Sequence, residues 1–390
     1  MKVLVLPSWY KNAENPVSGT FFEEQARALK RAGADVEIHH FSFLPFSSSV
    51  KGFDLLEKDD GLDTRRTGIK AALPRLTGYN YRKFGEKAAR LAEDGFKKNG
   101  KPDLIHAHSV FWGGIAANYI SRATGVPYVI TEHLTNFSTG GITSITDIAI
   151  AKKVFSEAAA NIVVSSAFRK DIASFLGMEP GNFIVIGNMV DEYFFSDVRP
   201  LPEKKSGEFS IFTNSFITER KNIHALIGAF AGFVKVNPGA NLRIGGRVSR
   251  KEDLWYQESL LQLVNAYGLS EQVVFLGQTE KKTILEELQR CHLFALTSTY
   301  ETFGVAIAEA LAAGRPVMTT DSGGPSDIMT SEFGYMCNEF TAEDILKGMM
   351  QIHAEYDKFD AIRISKACHA RFSQETIIPE ILSVYNKAIK

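Results

Sequence analysis

The 390-residue sequence has few cysteines: Cys291, Cys337 and Cys368, far apart and odd in number. A disulfide framework is therefore not expected, and no Cys/His spacing suits zinc. Neither sign of charge is in excess. Lys and Arg number 44 against 45 Asp and Glu, a net charge of −1. That removes any global reason to expect nucleic acid as a partner. No apolar run approaches the roughly 20 residues of a membrane span. The opening Met1-Lys2-Val3-Leu4-Val5-Leu6 is too short for a signal peptide and reads as a strand. A cytoplasmic location is expected. After that first strand there is no G-x-G-x-x-G turn, which argues against a nicotinamide cofactor. No repeat or low-complexity tract stands out. What remains is a soluble globular composition in a chain long enough for two domains.

One stretch carries most of the chemical information. His292 to Thr297 is an apolar run that reads as a buried strand. Tyr300-Glu301-Thr302-Phe303-Gly304 follows as a turn. Val305 to Ala313 is rich in strong helix formers, and Gly314 and Pro316 end it. The first N–H groups of a helix lack internal partners and carry partial positive charge. They are expected at Phe303, Gly304 and Val305, an anion site of the kind that holds phosphate. Glu301 and Glu309 beside such a site are poor phosphate ligands, because like charges repel. They suit hydroxyls, and a sugar nucleotide offers hydroxyls on both its sugar and its ribose.

Glu301 and Glu309 with seven residues between them, followed by Ala-Leu-Ala-Ala-Gly-Arg-Pro-Val and Asp321-Ser322-Gly323-Gly324-Pro325, resemble the E-x7-E signature of the family-4 retaining glycosyltransferases. The resemblance implies the GT-B fold: α/β, with two Rossmann-like domains facing a cleft and a C-terminal helix crossing back to the first. It extends over most of the chain. Pro7-Ser8-Trp9-Tyr10, Asn15-Pro16, Gly19, Phe21 and Glu24-Gln25-Ala26 are similar to the family's opening loop, with Lys11 where the family has a second proline. Gly19 and Thr20 precede a helix and are expected to meet phosphate or acceptor. His106, His108 and His133 fall at strand ends, and the resemblance selects His133 as the functional one, near the transferred sugar. Ile184 to Asp191 is similar to the family's inter-domain hinge.

The resulting division is 1–195, a linker at 196–208, a second domain at 209–371 and a last helix at 372–390. In the second domain Arg220 and Lys221 lie at a helix start, where cations oppose the macrodipole unless an anion binds. The resemblance assigns Lys221 to the donor diphosphate. The family's arginine position holds Ser215-Phe216 instead, so Arg220 is a candidate substitute. Arg247 follows the strand-end turn Gly245-Gly246. Gln278-Thr279-Glu280, in the loop where the family holds the base, announces neither uracil nor guanine.

The expected activity is transfer of a sugar from a UDP- or GDP-sugar to a hydroxyl on a glycan or lipid-linked acceptor, without metal or cofactor. The expected setting is cell-surface polysaccharide or glycolipid synthesis. Glu301, His133 and Lys221 are the catalytic candidates. Arg220, Lys221, Phe303, Gly304, Val305 and Glu309 are the donor-binding ones. A nucleotide-sugar epimerase on a similar fold and a non-catalytic sugar-binding protein are the competing readings. Residues 41–80 read as irregular, and 133–150 as a long loop. Eight basic residues between Arg65 and Arg90, with Glu86 the one acid among them, pose a contact with anionic membrane at its inner face against a simply solvated face.

Overall fold

The computed structural model describes residues 1–12, 18–50, 52–59, 61–71, 73, 76–205, 207–248 and 250–390. The chain forms two compact units. One holds Met1–Met189 together with Gln374–Lys390, the other Val190–Ser373. Asn15 and Pro16, quoted above, and Arg75 of the basic run lie outside the described residues.

The first unit is built on eight strands: β1 (Lys2–Pro7), β2 (Asp35–Leu44), β3 (Asp54–Asp59), β4 (Leu62–Lys70), β5 (Leu104–His108), β6 (Tyr128–Glu132), β7 (Ala160–Val163) and β8 (Phe183–Val185). Their order in the sheet is β3-β4-β2-β1-β5-β6-β7-β8. All neighbours are parallel except β3 and β4. Helices cover parallel strands on both faces, so such strands read as continuous apolar runs. Val3, Val5 and Leu6 are accordingly buried, as are Leu104, Ile105, Val129 and Ile130.

Residues 41–80 are more regular than the sequence suggested. They hold the end of β2, the β3–β4 hairpin and the start of a helix over Thr77–Asn99. The edge strand of the hairpin carries charge and exposed leucines rather than a clean alternation, which hides it in the sequence. Asp54 and Glu57 of β3 pair with Arg65 and Arg66 of β4 at 2.6 and 2.8 Å. Arg82 and Lys83 meet Glu86 at 3.8 and 2.8 Å. Much of the basic run is thus neutralised by acids that were distant in sequence or a helical turn away. The long loop after His133 is shorter than expected too. A helix spans Ile145–Glu157, and the Ser144 hydroxyl caps it by accepting the Asp147 N–H.

The second unit has six parallel strands: β9 (Ser210–Asn214), β10 (Asn241–Gly245), β11 (Val273–Gly277), β12 (Leu293–Leu296), β13 (Val317–Thr320) and β14 (Gly334–Cys337), ordered β11-β10-β9-β12-β13-β14. Segment 196–208 is part of this unit rather than a free linker. Gln289 donates to the Asp197 carbonyl at 2.8 Å, and Tyr356 donates to that of Pro202 at 3.0 Å. The fully buried Arg315 guanidinium donates to the carbonyls of Arg199 and Pro200. The last helix, Gln374–Ala388, packs in the first unit. Ile377, Ile378, Ile381, Val384 and Tyr385 share a core with Val3, Val5, Ala26 and Leu29. Among the described residues no helix is long and apolar enough to cross a membrane.

Candidate active site

In each sheet the strand order reverses at one place, and ligands of open α/β sheets bind outside the carboxyl ends of strands there. In the second unit the reversal falls between β9 and β12. The loop leaving β9, Ser215 to Asn222, carries Arg220 and Lys221. The loop leaving β12 carries Glu301. The two loops are laced together: the Thr299 N–H donates to the Arg220 carbonyl at 2.8 Å, and the Thr297 hydroxyl to that of Lys221 at 3.1 Å. Glu301 is fixed by its main chain, which takes the Gly324 N–H and gives its own to Ser322, both at 2.8 Å.

These fixings bring three charges together. Lys221 Nζ lies 2.5 Å from Glu301 Oε1, and Arg220 Nη1 lies 3.6 Å from the same oxygen. The Lys221 and Glu301 side chains are each 11% exposed. Burial works against the charge on Glu301. Lys221 and then Arg220 outweigh it, so the carboxyl lies below its ordinary pKa. Burial likewise lowers Lys221 from its ordinary value, and Glu301 opposes the shift. Lys221 and Glu301, assigned above to phosphate and sugar, are thus one ion pair. Two cations face one carboxylate. Both basic residues precede the helix Ile223–Val234, and a single carboxylate lies between them.

The helix after Glu301 runs Val305–Ala312, capped by Gly304 at φ 105°. Its first N–H groups are those of Val305 and Ala306, because the Ile307 N–H already turns back to the Gly304 carbonyl at 2.9 Å. Glu309 lies on the second turn, half-buried. Phe303 is a core residue, 2% exposed and edge-on to Phe372. Its main chain is covered by Gly324, where an added Cβ would lie 2.4 Å from the Phe303 Cα.

In the first unit the reversal falls between β1 and β5. The loop leaving β5 is bent sharply: Ser109 has φ 67° and Trp112 φ 61°. With Asn222, φ 53°, these are the three non-glycine residues of positive φ among those described. All three sit at the two reversal points, and backbone strain collects at functional sites. The bend has two anchors. The Ser8 hydroxyl lies 2.6 Å from the His108 carbonyl and 3.0 Å from that of Ser109, reaches that of Phe111, and accepts the Gly113 N–H at 3.1 Å. The fully buried Glu132 accepts the Val110 N–H at 2.7 Å, and on its other oxygen those of His133 and Leu134 at 2.8 and 2.9 Å. Burial raises its pKa against the pull of these N–H groups. One carboxylate therefore ties the Trp112 loop to the His133 loop. Ser8 stands inside the quoted opening loop and Glu132 directly precedes His133, but nothing in one sequence gives them these roles.

His133 is half-buried. Its Nε2 lies 3.2 Å from His108 Nδ1, and its ring meets Phe21 and Phe22 at 5.1 and 5.4 Å. Burial, then His106, brings its pKa down to about 3. His106 and His108 are buried. His106 lies 2.8 Å from the Thr131 hydroxyl and 2.6 Å from that of Tyr385. Gly19 caps the helix Thr20–Arg31 at φ 71°, and an added Cβ would come within 2.8 Å of the Trp9 carbonyl. Gly19 and Thr20 thus lead into Phe21 and Phe22, which the structure sets against the histidines.

Two family models match this chain: "Glycosyltransferase Family 4" over residues 18–193 and "Glycosyl transferases group 1" over 196–366. Among curated proteins, the putative teichuronic acid biosynthesis glycosyltransferase TuaC of Bacillus subtilis is 22% identical, covering 96% of this chain and 99% of its own. The probable sucrose-phosphate synthase of Thermosipho melanesiensis is 26% identical, over 75% of this chain and 72% of its own. Among solved structures, the sucrose-phosphate synthase of Thermosynechococcus elongatus superposes with TM-score 0.77 at 18% identity, covering 99% of both chains. Anabaena HepE, in complex with UDP and glucose, gives 0.73 at 18% identity, again over 99% of both. At such identity the likeness shows the fold, which is GT-B. The two models tile most of the sequence, one per unit, and the chain belongs to the family-4 glycosyltransferases.

Proposed function

We propose that this glycosyltransferase moves a sugar from a UDP- or GDP-sugar to a hydroxyl of a glycan or lipid-linked acceptor, with retention at the anomeric carbon. The observation that carries the reading is the Lys221–Glu301 pair at the β9/β12 reversal, with Arg220 beside it. Lys221 and the N–H groups of Val305 and Ala306 stabilise the departing diphosphate, whose charge grows as the bond to the anomeric carbon breaks. Glu301 accepts sugar hydroxyls while holding Lys221 in place, and Glu309 accepts those of the ribose. His133, neutral at physiological pH, offers a hydrogen bond near the transferred sugar. With retention the acceptor oxygen takes the face the phosphate oxygen leaves. The leaving oxygen is then the nearest base for the acceptor's proton.

In this reading the side-chain cations serve in place of a metal, and chelator leaves turnover unchanged. The setting in this reading is cell-surface polysaccharide or glycolipid synthesis at a cytoplasmic site, and likeness to a putative teichuronic acid biosynthesis glycosyltransferase supports its polysaccharide part. A peripheral contact with anionic membrane rests on the exposed Leu73 and Leu76, 42% and 53% accessible, just before the helix Thr77–Asn99, in which basic residues outnumber acids. Co-sedimentation with anionic vesicles, reversed by salt, is its expected signature, and no binding at low salt removes it. The main test offers UDP- and GDP-linked hexoses and N-acetylhexosamines to the enzyme and follows release of the nucleoside diphosphate and the anomeric configuration of the product by NMR. An inverted product overturns the reading; so does a donor panel in which nothing binds.

A further inference from the structure

The loop Ser215–Asn222 has a second neighbour. On the side away from Glu301 it is bonded to the loop leaving β10. The Ser215 N–H donates to the Gly245 carbonyl at 3.1 Å and the Ile217 N–H to the Arg247 carbonyl at 2.9 Å. Gly246 makes this approach possible. Its φ is 125°, and an added Cβ would lie 1.7 Å from the Ser215 carbonyl oxygen. The close contact brings the Arg247 guanidinium over the ring of Phe216, 5.9 Å from its centre. Phe216 is itself 45% exposed.

Arg247 differs from the other cations of this loop. Arg220 donates to the Tyr300 carbonyl and lies near Glu301, and Lys221 is held by Glu301. Arg247 is half-buried, its Nε is buried, and that Nε has no hydrogen-bond partner. A buried N–H of a permanently charged group left unpaired is costly. A cation–π contact at an exposed site stabilises only weakly and leaves the donor fork unused.

We propose that Arg247 is a donor-binding side chain: its guanidinium, steered by the Phe216 ring, grips the diphosphate from the side of the loop opposite Lys221. The proposal rests on reading this loop as the nucleotide-sugar site. It deepens that reading by naming a residue from a different strand end. One loop would then present the diphosphate with a lysine from one edge and an arginine fork from the other.

Binding of UDP, GDP and ADP, each beside its monophosphate, and of inorganic pyrophosphate tests it by thermal shift and calorimetry. Arg247→Gln is expected to weaken the preferred nucleoside diphosphate about 10- to 100-fold while leaving its monophosphate within about twofold, since the lost bonds are charge-assisted. Arg247→Lys keeps a charge but not the fork, and is expected to fall between wild type and Arg247→Gln. If Arg247→Gln does not fold, the lysine variant carries the test alone. A diphosphate-over-monophosphate preference equal to wild type in the variants overturns the proposal. If Lys221→Ala abolishes diphosphate binding while the Arg247 variants keep it, this inference falls and the donor-site reading stands. If wild type binds none of the probes, both fall.

Discussion

At the carboxyl edge of the first sheet, His106, His108 and His133 are held as neutral rings, by burial, by one another and by hydroxyls. At the corresponding edge of the second sheet, Arg220, Lys221 and Glu301 are held as ions within 4 Å. Both edges carry bent backbone at non-glycine residues, Ser109 and Trp112 on one side and Asn222 on the other. The same topology has thus been given opposite electrostatics. A diphosphate carries charge and needs counter-charge; an acceptor hydroxyl is neutral and needs oriented dipoles. In the proposed reading, the charged edge suits the diphosphate and the neutral edge the acceptor hydroxyl.

The largest expected effect tests the neutral side. His39, His40, His106 and His133 have pKa values lowered from 6.5 to about 3 or 4, and that of His108 is well below 6.5, all chiefly through burial. The unfolded chain takes up protons below about pH 6.5 that the folded unit refuses until far lower pH. Stability is therefore complete above that value and lost as pH falls, by up to about 1.4 kcal/mol per histidine per pH unit. Urea unfolding at pH 7 and pH 5 should show a loss of several kcal/mol at the lower pH, roughly as this linkage requires. Unchanged or greater stability at pH 5 would mean the rings are not held neutral.

Next comes the charged side. Lys221→Ala should lower turnover about 10²- to 10³-fold. It should also destabilise by about 3 kcal/mol, because Glu301 is left buried with its closest partner gone. Adding Glu301→Gln should recover much of the stability and none of the activity. Full turnover in Lys221→Ala breaks the contrast between the two edges.

A smaller effect separates backbone strain from close approach. Gly246 and Gly140 both have positive φ, at 125° and 71°, but an added Cβ meets the Ser215 carbonyl in one and open space in the other. Gly140→Ala should cost about 1 kcal/mol and Gly246→Ala about 2–4 kcal/mol, with weakened donor binding in the second alone. Equal costs by denaturation would say the β9–β10 loops are not tightly apposed. Smallest is Tyr385→Phe, which removes the hydroxyl beside His106 and should cost about 1 kcal/mol. Donor KM should not change, since the last helix packs in the first unit.

Much of this was legible in the sequence because chemistry and spacing agreed locally. Glu301, Gly304 and Glu309 occupy one strand-turn-helix, so the chain's own periodicity revealed the turn. The β3–β4 hairpin was not legible, because its charged edge strand is satisfied by partners across the ladder rather than by an apolar face. Arg65 and Arg66 read as a basic surface for the same reason: Asp54 and Glu57 lie across a turn. The Lys221–Glu301 pair spans 80 positions. Each residue could be named as functional, but their pairing depends on β9 and β12 being neighbours, which is a property of the sheet order. Arg247 stood at a recognisable strand end, yet its place over Phe216 depends on how closely Gly246 lets two loops approach.

Ser8 offers a single hydrogen to three carbonyls, those of His108, Ser109 and Phe111. It can satisfy one of them at a time. A turn about one side-chain bond passes that hydrogen along the loop without touching the strand ladder beneath. Alanine at position 8 would leave the Phe111 carbonyl without this donor and the bend without its clasp, while the His108 and Ser109 carbonyls keep the N–H groups of Ser8 and Gly114.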